Sequence, residues 1–506
     1  MHRKIQSFQI ESSGDRTSGL SKGLTVEIYK HLRDNKRCFL VLLCLVVLAS
    51  ILRYVYVAGT NLSEFDPWRH LQLLKNIRSG AGFTLFDGQP YIWYNEIWYY
   101  LAGMFVAAEK VQWVSCWISA LSVVLFFLFL LRTEKSLTPA VAGGLMMAAF
   151  GPMIAFTCTY GSESFALFLV LFSFLLSTYQ TRFSTLFVSG IFFGLALVSR
   201  INFLFNCIIL IPILKNRRNC LIFFSGVTAI LLFAWWRNYL VISHHAYLFT
   251  WDGLATKRED YGALSTFIPQ LHPAVAEATR ALYKQIAPIP SYLYYRGQIA
   301  WGTIFFMTLG VVCILISKRL SLMIAGLLPL VYFTFFDKTL STNFFRHYLA
   351  IFPPFFIGIA VAADRIGQNK RILLGHFSFI CLALVGAVIL SGIRYMKPQP
   401  MIQLEHVTPP PTLLTKEYYM VNSGFYHPES LVYRYPDKKF IGMPLDPGEF
   451  DEFLHYYPKY TSIIWHLEFS VQDELLRYLT DSGKYRVVNS VRNKGGVQYL
   501  LLEAED

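Results

Sequence analysis

Two acids and three arginines in this chain stand where apolar runs end, so that each side chain meets hydrocarbon and water together. Asp66 lies in Glu64-Phe65-Asp66-Pro67-Trp68-Arg69-His70, just after the first long apolar run, and Glu163 closes Thr159-Tyr160-Gly161-Ser162-Glu163, a short turn between two later runs. Arg200 follows a Gly-containing run that ends in Ser199, Arg237 closes another in Trp235-Trp236-Arg237-Asn238-Tyr239, and Arg346 and His347 open a third in Asn343-Phe344-Phe345-Arg346-His347-Tyr348. A carboxylate held at a membrane edge can accept a proton, orient a hydroxyl, or share a divalent cation with a second acid. Guanidinium groups at the same depth suit phosphate or pyrophosphate, which they grip in bidentate fashion. Each residue also has a structural use. Asp66 can cap a helix, Glu163 can sit in a first turn behind Ser162 where the dipole favours an anion, and the arginines can snorkel to headgroups. An ionisable residue at membrane depth is nonetheless costly enough to be a functional candidate by default.

The elements that must position these residues are read from the apolar pattern. The 506 residues are 54% hydrophobic and only 15% charged, against about 25% charged for a soluble protein. That composition predicts a polytopic α-helical membrane protein. Taking ~20 apolar residues per crossing, about eleven spans fall near 38–57, 112–131, 138–158, 164–180, 183–198, 201–214, 220–236, 298–317, 320–336, 347–363 and 372–393. With residues 1–37 as a basic cytoplasmic tail and 38–57 as a retained first span, Arg132/Lys135, Arg182, Lys215/Arg217/Arg218, Lys318/Arg319 and Arg365/Lys370/Arg371 all fall on the cytoplasmic side. The net charge of +13 is accounted for by these loops, and no nucleic-acid partner is expected. Asp66, Glu163 and the three arginines then lie together on the opposite side.

Residues 38–394 read as the transmembrane part, with external loops at 58–111 and 238–297. In the first loop, Asp66-Pro67 predicts a helix start and Gly80 its stop. Trp68, Leu71, Leu74 and Ile77 make an apolar stripe suited to lying on a membrane surface. Residues 91–108 carry Tyr91, Trp93, Tyr94, Trp98, Tyr99 and Tyr100, an aromatic helix at headgroup level. After a Pro-rich linker, 395–506 reads as a small extramembrane α/β domain, with strands near 462–465, 485–491 and 497–502 and a helix near 471–480. The eight cysteines fall in or beside apolar segments without metal-ligand spacing and read as packing residues. His244 and His245 gain a metal role only if further ligands converge on them, and Asn61-Leu62-Ser63 hugs the membrane too closely to read as a glycosylation acceptor.

Glu64-Phe65-Asp66-Pro67-Trp68, with Phe86-Asp87-Gly88 beyond it, resembles the first external loop of the oligosaccharyltransferase catalytic subunit. Thr159-Tyr160-Gly161-Ser162-Glu163 is similar to that family's second acidic turn, with Ser162 in place of one acid. The wider order of motifs resembles the GT-C superfamily of polyprenyl-phosphate-dependent membrane glycosyltransferases over roughly 38–360. No Trp-Trp-Asp-x-Gly motif is present, so the acceptor is expected to be a hydroxyl of a glycan, lipid or protein and not a peptide asparagine. The resemblance implies transfer of a sugar from a polyprenyl phosphate or pyrophosphate, with inversion, at the outer face of a membrane. It implies Asp66 and Glu163 as catalytic residues that could also hold Mg or Mn, and Glu64, His70, Arg200, Arg237, Arg346 and His347 as substrate-binding residues. A bacterial inner membrane, with 395–506 in the periplasm, is the expected location. A transporter or flippase of a phosphate-headed lipid, and a non-catalytic scaffold, are the rival readings; the first needs charged or broken spans in mid-membrane.

Overall fold

A computed structural model describes residues 36–59, 66–80, 96–107, 110–159, 161–179, 183–242, 297–335 and 348–368, and toward the C-terminus 408–422, 431, 434–435, 437–443, 450–451, 454–455, 458–467, 473–493, 496 and 498–505. Helix α1 (Lys36–Gly59) is followed by α2 (Asp66–Arg78), α3 (Glu96–Phe105), α4 (Val111–Glu134), α5 (Leu137–Ala149), α6 (Gly151–Thr157), α7 (Glu163–Ser177) and α8 (Phe183–Ser199). A 3₁₀ segment, Ile201–Asn206, leads into α9 (Cys207–Leu214), then α10 (Arg217–Ile242), α11 (Gly297–Ser317), α12 (Leu320–Phe335) and α13 (Phe352–Gln368). Among the described residues, three helices are long and apolar enough to cross a membrane: α1, α4 and α10. Helices α5 and α6 form a fourth candidate bent by 58°. Eleven unbroken spans are not seen among the described residues, where several runs are short or broken, and 372–393 lies outside them. The α5/α6 break has a local cause: Phe150 is extended and Pro152, which has no N–H, sits in the first turn of α6.

One end of the helical bundle gathers the basic loops. Arg319 donates to both oxygens of Glu134 at 2.7 and 2.6 Å, and Ser136 bonds Asp364 at 2.9 Å. Arg365 donates to the Ile316 carbonyl at 2.9 Å, while Arg132 lies 3.5 Å from the centre of the Tyr179 ring. Lys135, Lys215 and Lys318 have φ of 54°, 64° and 53°, each at a helix C-terminus where a cation complements the dipole. Helix α4 has 24 residues, so its first turn lies about 36 Å from this end at ~1.5 Å per residue.

Helices α8 and α10 meet glycine to glycine. A Cβ on Gly190 would lie 2.0 Å from the Phe223 carbonyl oxygen, and one on Gly226 2.3 Å from that of Phe187. Backbone atoms cannot rotate away, so Gly190→Val should cost at least the ~1–3 kcal/mol typical of overpacking. The check is the thermal midpoint of the purified variant in detergent, and an unchanged midpoint would contradict the contact. Ser189 ties α8 to α7 through Ser173 at 3.1 Å and Ser177 at 2.8 Å, interhelical bonds of the kind that lipid-embedded helices use.

Arg53 is buried within α1 at 1% exposure. Its Nε donates to Ser119 Oγ at 2.7 Å, Nη1 to the carbonyls of Ala49 at 3.2 Å and Ala148 at 3.0 Å, and Nη2 to that of Met147 at 3.1 Å. The guanidinium thus satisfies carbonyls that the end of α5 leaves open. Ser119 Oγ in turn lies 2.5 Å from Thr157 Oγ1 at the end of α6. Arg53→Met should cost about 1–3 kcal/mol for each buried acceptor left unbonded. A midpoint equal to that of the parent would show that these bonds contribute nothing.

The C-terminal residues form a five-stranded sheet of order β2-β1-β3-β5-β4, from β1 (Tyr418–Asn422), β2 (Lys439–Met443), β3 (Ser462–His466), β4 (Tyr485–Arg492) and β5 (Gln498–Ala504). Strand β1 runs parallel to β2 and β3, and β5 runs antiparallel to β3 and β4. Both faces are covered, as alternate residues require: Tyr419, Val421 and Ile464 lie in one apolar cluster, Met420, Ile463 and Trp465 in the other. Helix α14 (Asp473–Asp481) adds Leu475 and Leu479, one turn apart, to the second cluster. Strands β3, β4 and β5 and helix α14 fall where the alternating and helical patterns predict them.

Candidate functional site

The helix that begins at Asp66 stops as its sequence predicts. Gly80 takes a φ of +83°, a conformation glycine adopts without steric cost, and its N–H donates to the Ile77 carbonyl at 3.2 Å. Its apolar stripe has a different use from the one expected. Leu71, Leu74 and Ile77 are buried with Leu73, Trp98 and Ala102 in one cluster, so the stripe packs on α3 and is not laid on lipid. The aromatic helix is itself part of that core. Trp98 is 3% exposed and stacks on Phe165 with ring centres 5.2 Å apart. Its face is therefore taken by protein and is withdrawn from stacking on a ligand. Val111 of α4 joins the same cluster, and Val114, Ile118 and Phe165 pack against it. Through these contacts the α2/α3 pair is seated on the first turns of α4 and α7.

Phe165 is two residues from Glu163, which opens α7 at 1% exposure. Arg200 Nη2 donates to Glu163 Oε1 and forms an ion pair with it. Arg200 follows the last residue of α8, where its N–H still donates to the Ala196 carbonyl at 2.7 Å and its backbone is extended. The two helix ends favour this placement: an acid at the N-terminus of α7 and a base at the C-terminus of α8 each complement a dipole. Removal of two charges from water is offset only by close pairing. Ser162 occupies the N-cap position but makes no side-chain cap bond, contrary to the capping role expected of it.

Several buried hydroxyls are neighbours of this pair along the chain. Among the described residues, Ser162, Ser164, Ser199 and Ser115 Oγ and Trp98 Nε1 are buried with no hydrogen-bond partner. Two of these serines flank Glu163, and Ser199 precedes Arg200. Ser115 lies one turn beyond Val111 on α4, and Trp98 stacks on Phe165. Buried polar groups are normally bonded, so these unpartnered hydroxyls are candidates to bond a polar guest.

The other expected site residues divide by what is described. Glu64, Arg346 and His347 lie outside the described residues. Asp66 and His70 are backbone positions of α2, and Arg237 is one of α10. Arg237 was expected to end its span; the candidate span is Arg217–Trp236, and the helix runs on to Ile242, since Asn238-Tyr239-Leu240-Val241 holds neither Gly nor Pro to break it. Among the described residues no three His, Cys, Asp or Glu converge as a metal group. Glu163, the acid of the expected metal pair whose side chain is described, faces a guanidinium. A cation beside Arg200 would meet a like charge, and the Asp66 side chain expected to share it lies outside the described side chains.

Arg53 is the buried charge that sequence reading passed over. Its signal was available, because an arginine inside an apolar run of span length is a functional candidate by default. The unpartnered serines gave no comparable signal, since single serines in apolar helices are common and only the structure shows these to be buried without a partner.

No family model and no curated protein matches the sequence. Solved structures are similar at the level of the fold. The oligosaccharyltransferase of Archaeoglobus fulgidus, solved with Zn and sulfate, superposes with a TM-score of 0.52 at 12% identity, over 90% of this chain and 72% of its own. The AglB oligosaccharyltransferase of the same organism, in complex with an inhibitory peptide and a dolichol-phosphate, gives 0.51 at 12% identity, over 91% and 74%. ArnT from Cupriavidus metallidurans gives 0.50 at 12% identity, over 91% of this chain and 97% of its own. At such identity the likeness establishes a fold, that of GT-C membrane glycosyltransferases.

Proposed function

We propose that this GT-C-fold chain transfers a sugar from a polyprenyl phosphate or pyrophosphate to a hydroxyl of a glycan, lipid or protein, with inversion, at the outer face of the membrane. The observation that carries the reading is the buried Glu163–Arg200 pair, two residues from Phe165, which packs against the α2/α3 unit that begins at Asp66. The dolichol-phosphate bound by AglB supports a lipid-linked donor. In this reading Asp66 accepts the proton of the acceptor hydroxyl as its oxygen attacks the anomeric carbon. Arg200, Arg237 and Arg346 offset the charge that grows on the leaving phosphate. Glu163 holds Arg200 in place, the serines bond sugar or phosphate oxygens, and Glu64, His70 and His347 line the donor and acceptor. The positive charge facing Glu163 comes from a guanidinium, so no step is assigned to a metal.

Translocation of a phosphate-headed lipid has its own observations in the bent α5/α6 pair and the buried Arg53. Every donor nitrogen of that guanidinium has a carbonyl or hydroxyl acceptor in the protein, which makes Arg53 a terminator for α5 and not a headgroup site. The experiment is transfer by the full chain in vesicles that contain a labelled sugar on a polyprenyl phosphate and a hydroxyl acceptor. Product of inverted configuration, formed equally with and without EDTA, is the expected result. Movement of donor between leaflets without any sugar–acceptor product would replace this reading with transport. Activity lost in EDTA and restored by Mg or Mn would return a metal to the site.

A further inference from the structure

Two lysines at the basic end of the helical bundle stand on either side of one ion pair. Glu134, the last residue of α4, accepts from both terminal nitrogens of Arg319 at 2.7 and 2.6 Å. Lys135 follows the acid and Lys318 precedes the base, so each lysine Cα lies about 3.8 Å from that of a pair member. Both lysines close a helix in the left-handed conformation, at φ of 54° and 53°. That conformation costs any residue with a Cβ and is the ordinary place of glycine. The helix dipole favours a cation there but leaves it without a counter-ion. The nearby acids do not supply one: Arg319 takes both oxygens of Glu134, and Ser136 donates to Asp364 at 2.9 Å. Lys135 and Lys318 are exposed and form no ion pair among the described residues. The surface beside Lys318 is apolar. Leu315 and Ile316, in the turn before it, and Leu320, two residues after it, are 48%, 45% and 68% exposed, with Val312 also open at 44%. Since α4 is long and apolar enough to cross a membrane and ends at Glu134, these side chains lie at the bilayer edge.

We infer that Lys135 and Lys318 bind the phosphate of one anionic phospholipid, such as phosphatidylglycerol, whose acyl chain lies along Val312, Leu315, Ile316 and Leu320. The closed Glu134–Arg319 pair leaves both lysine charges uncompensated, and a phosphodiester at headgroup depth offsets them. The exposed apolar side chains select a lipid over a free phosphate, because a soluble anion covers none of that surface. The site lies at the far end of α4 from the turns that seat the α2/α3 pair. It does not depend on the proposed activity, nor on which side of the membrane this end faces.

The test follows the thermal midpoint of the full chain, delipidated in detergent, as phosphatidylglycerol is added. The midpoint should rise and saturate, while phosphatidylcholine with the same acyl chains and inorganic phosphate should leave it unmoved. Lys135→Gly and Lys318→Gly remove the charge and suit the left-handed backbone, so the midpoint without added lipid should hold. The phosphatidylglycerol needed for half the rise should increase about fivefold for each change. If a glycine variant fails to fold, Lys135→Gln and Lys318→Gln carry the same expectation. Lys215→Gln, at a left-handed lysine outside these two loops, should keep the parent response. An equal rise with phosphatidylcholine or with inorganic phosphate, or an unchanged response when both lysines are replaced, would overturn the inference. So would an equal loss in Lys215→Gln, which would mean diffuse attraction and no site.

Discussion

Asp66→Asn should abolish sugar transfer while the protein folds normally. Asn caps a helix as well as Asp does, so α2 should still begin at residue 66 and its apolar stripe should still pack on α3. The amide, however, cannot accept the acceptor proton. Loss of a positioned general base costs about 10²–10⁴ in rate, so the assay in vesicles should fall to background while the thermal midpoint in detergent holds. The pairing of these two readouts gives the result its meaning. Loss of both together would return Asp66 to a structural part, and transfer at the parent rate would leave it with helix capping alone.

The second large effect lies at Glu163 and Arg200. Glu163→Gln leaves the Arg200 guanidinium at the ends of α7 and α8 without its carboxylate, and Arg200→Gln leaves a carboxylate that is 1% exposed. Breakage of a buried pair from either side costs about 3–5 kcal/mol, because one charge stays behind uncompensated. The double change to Gln at both positions removes the two charges together and keeps groups that can bond each other. It should lie well above the sum of the singles, with a coupling of about 0.5–3 kcal/mol, and its midpoint should approach that of the parent. Transfer should not return with it, because the guanidinium has gone. Single changes that simply add would show that the pair is not coupled in solution. A stable and fully active double variant would remove Arg200 from the reaction.

These two experiments separate what the arginine does for the fold from what it does for the anion. Arg200 is expected from its sequence to face a phosphate, and in the structure it pairs with Glu163.

What the sequence determined by itself is local. The apolar runs, the basic loops between them, the helix that starts at Asp66-Pro67 and stops at Gly80, and the strands at 462, 485 and 498 follow from patterns a few residues long. A 3.6 or 2.0 repeat, a cap and a left-handed glycine are set by neighbours along the chain. The family resemblance in the external loops was legible for the same reason, since each motif is a short contiguous string. What only the tertiary structure decided is which distant groups meet. Glu163 finds Arg200 across 37 positions, Arg53 reaches carbonyls 94 and 95 positions away, and the stripe of α2 is covered by α3 and not by lipid. An amphipathic stripe states only that it must leave water, and a buried charge only that it must have a partner. Neither states which surface or which group answers, because that depends on the packing of the whole helical bundle, which no window of the sequence contains.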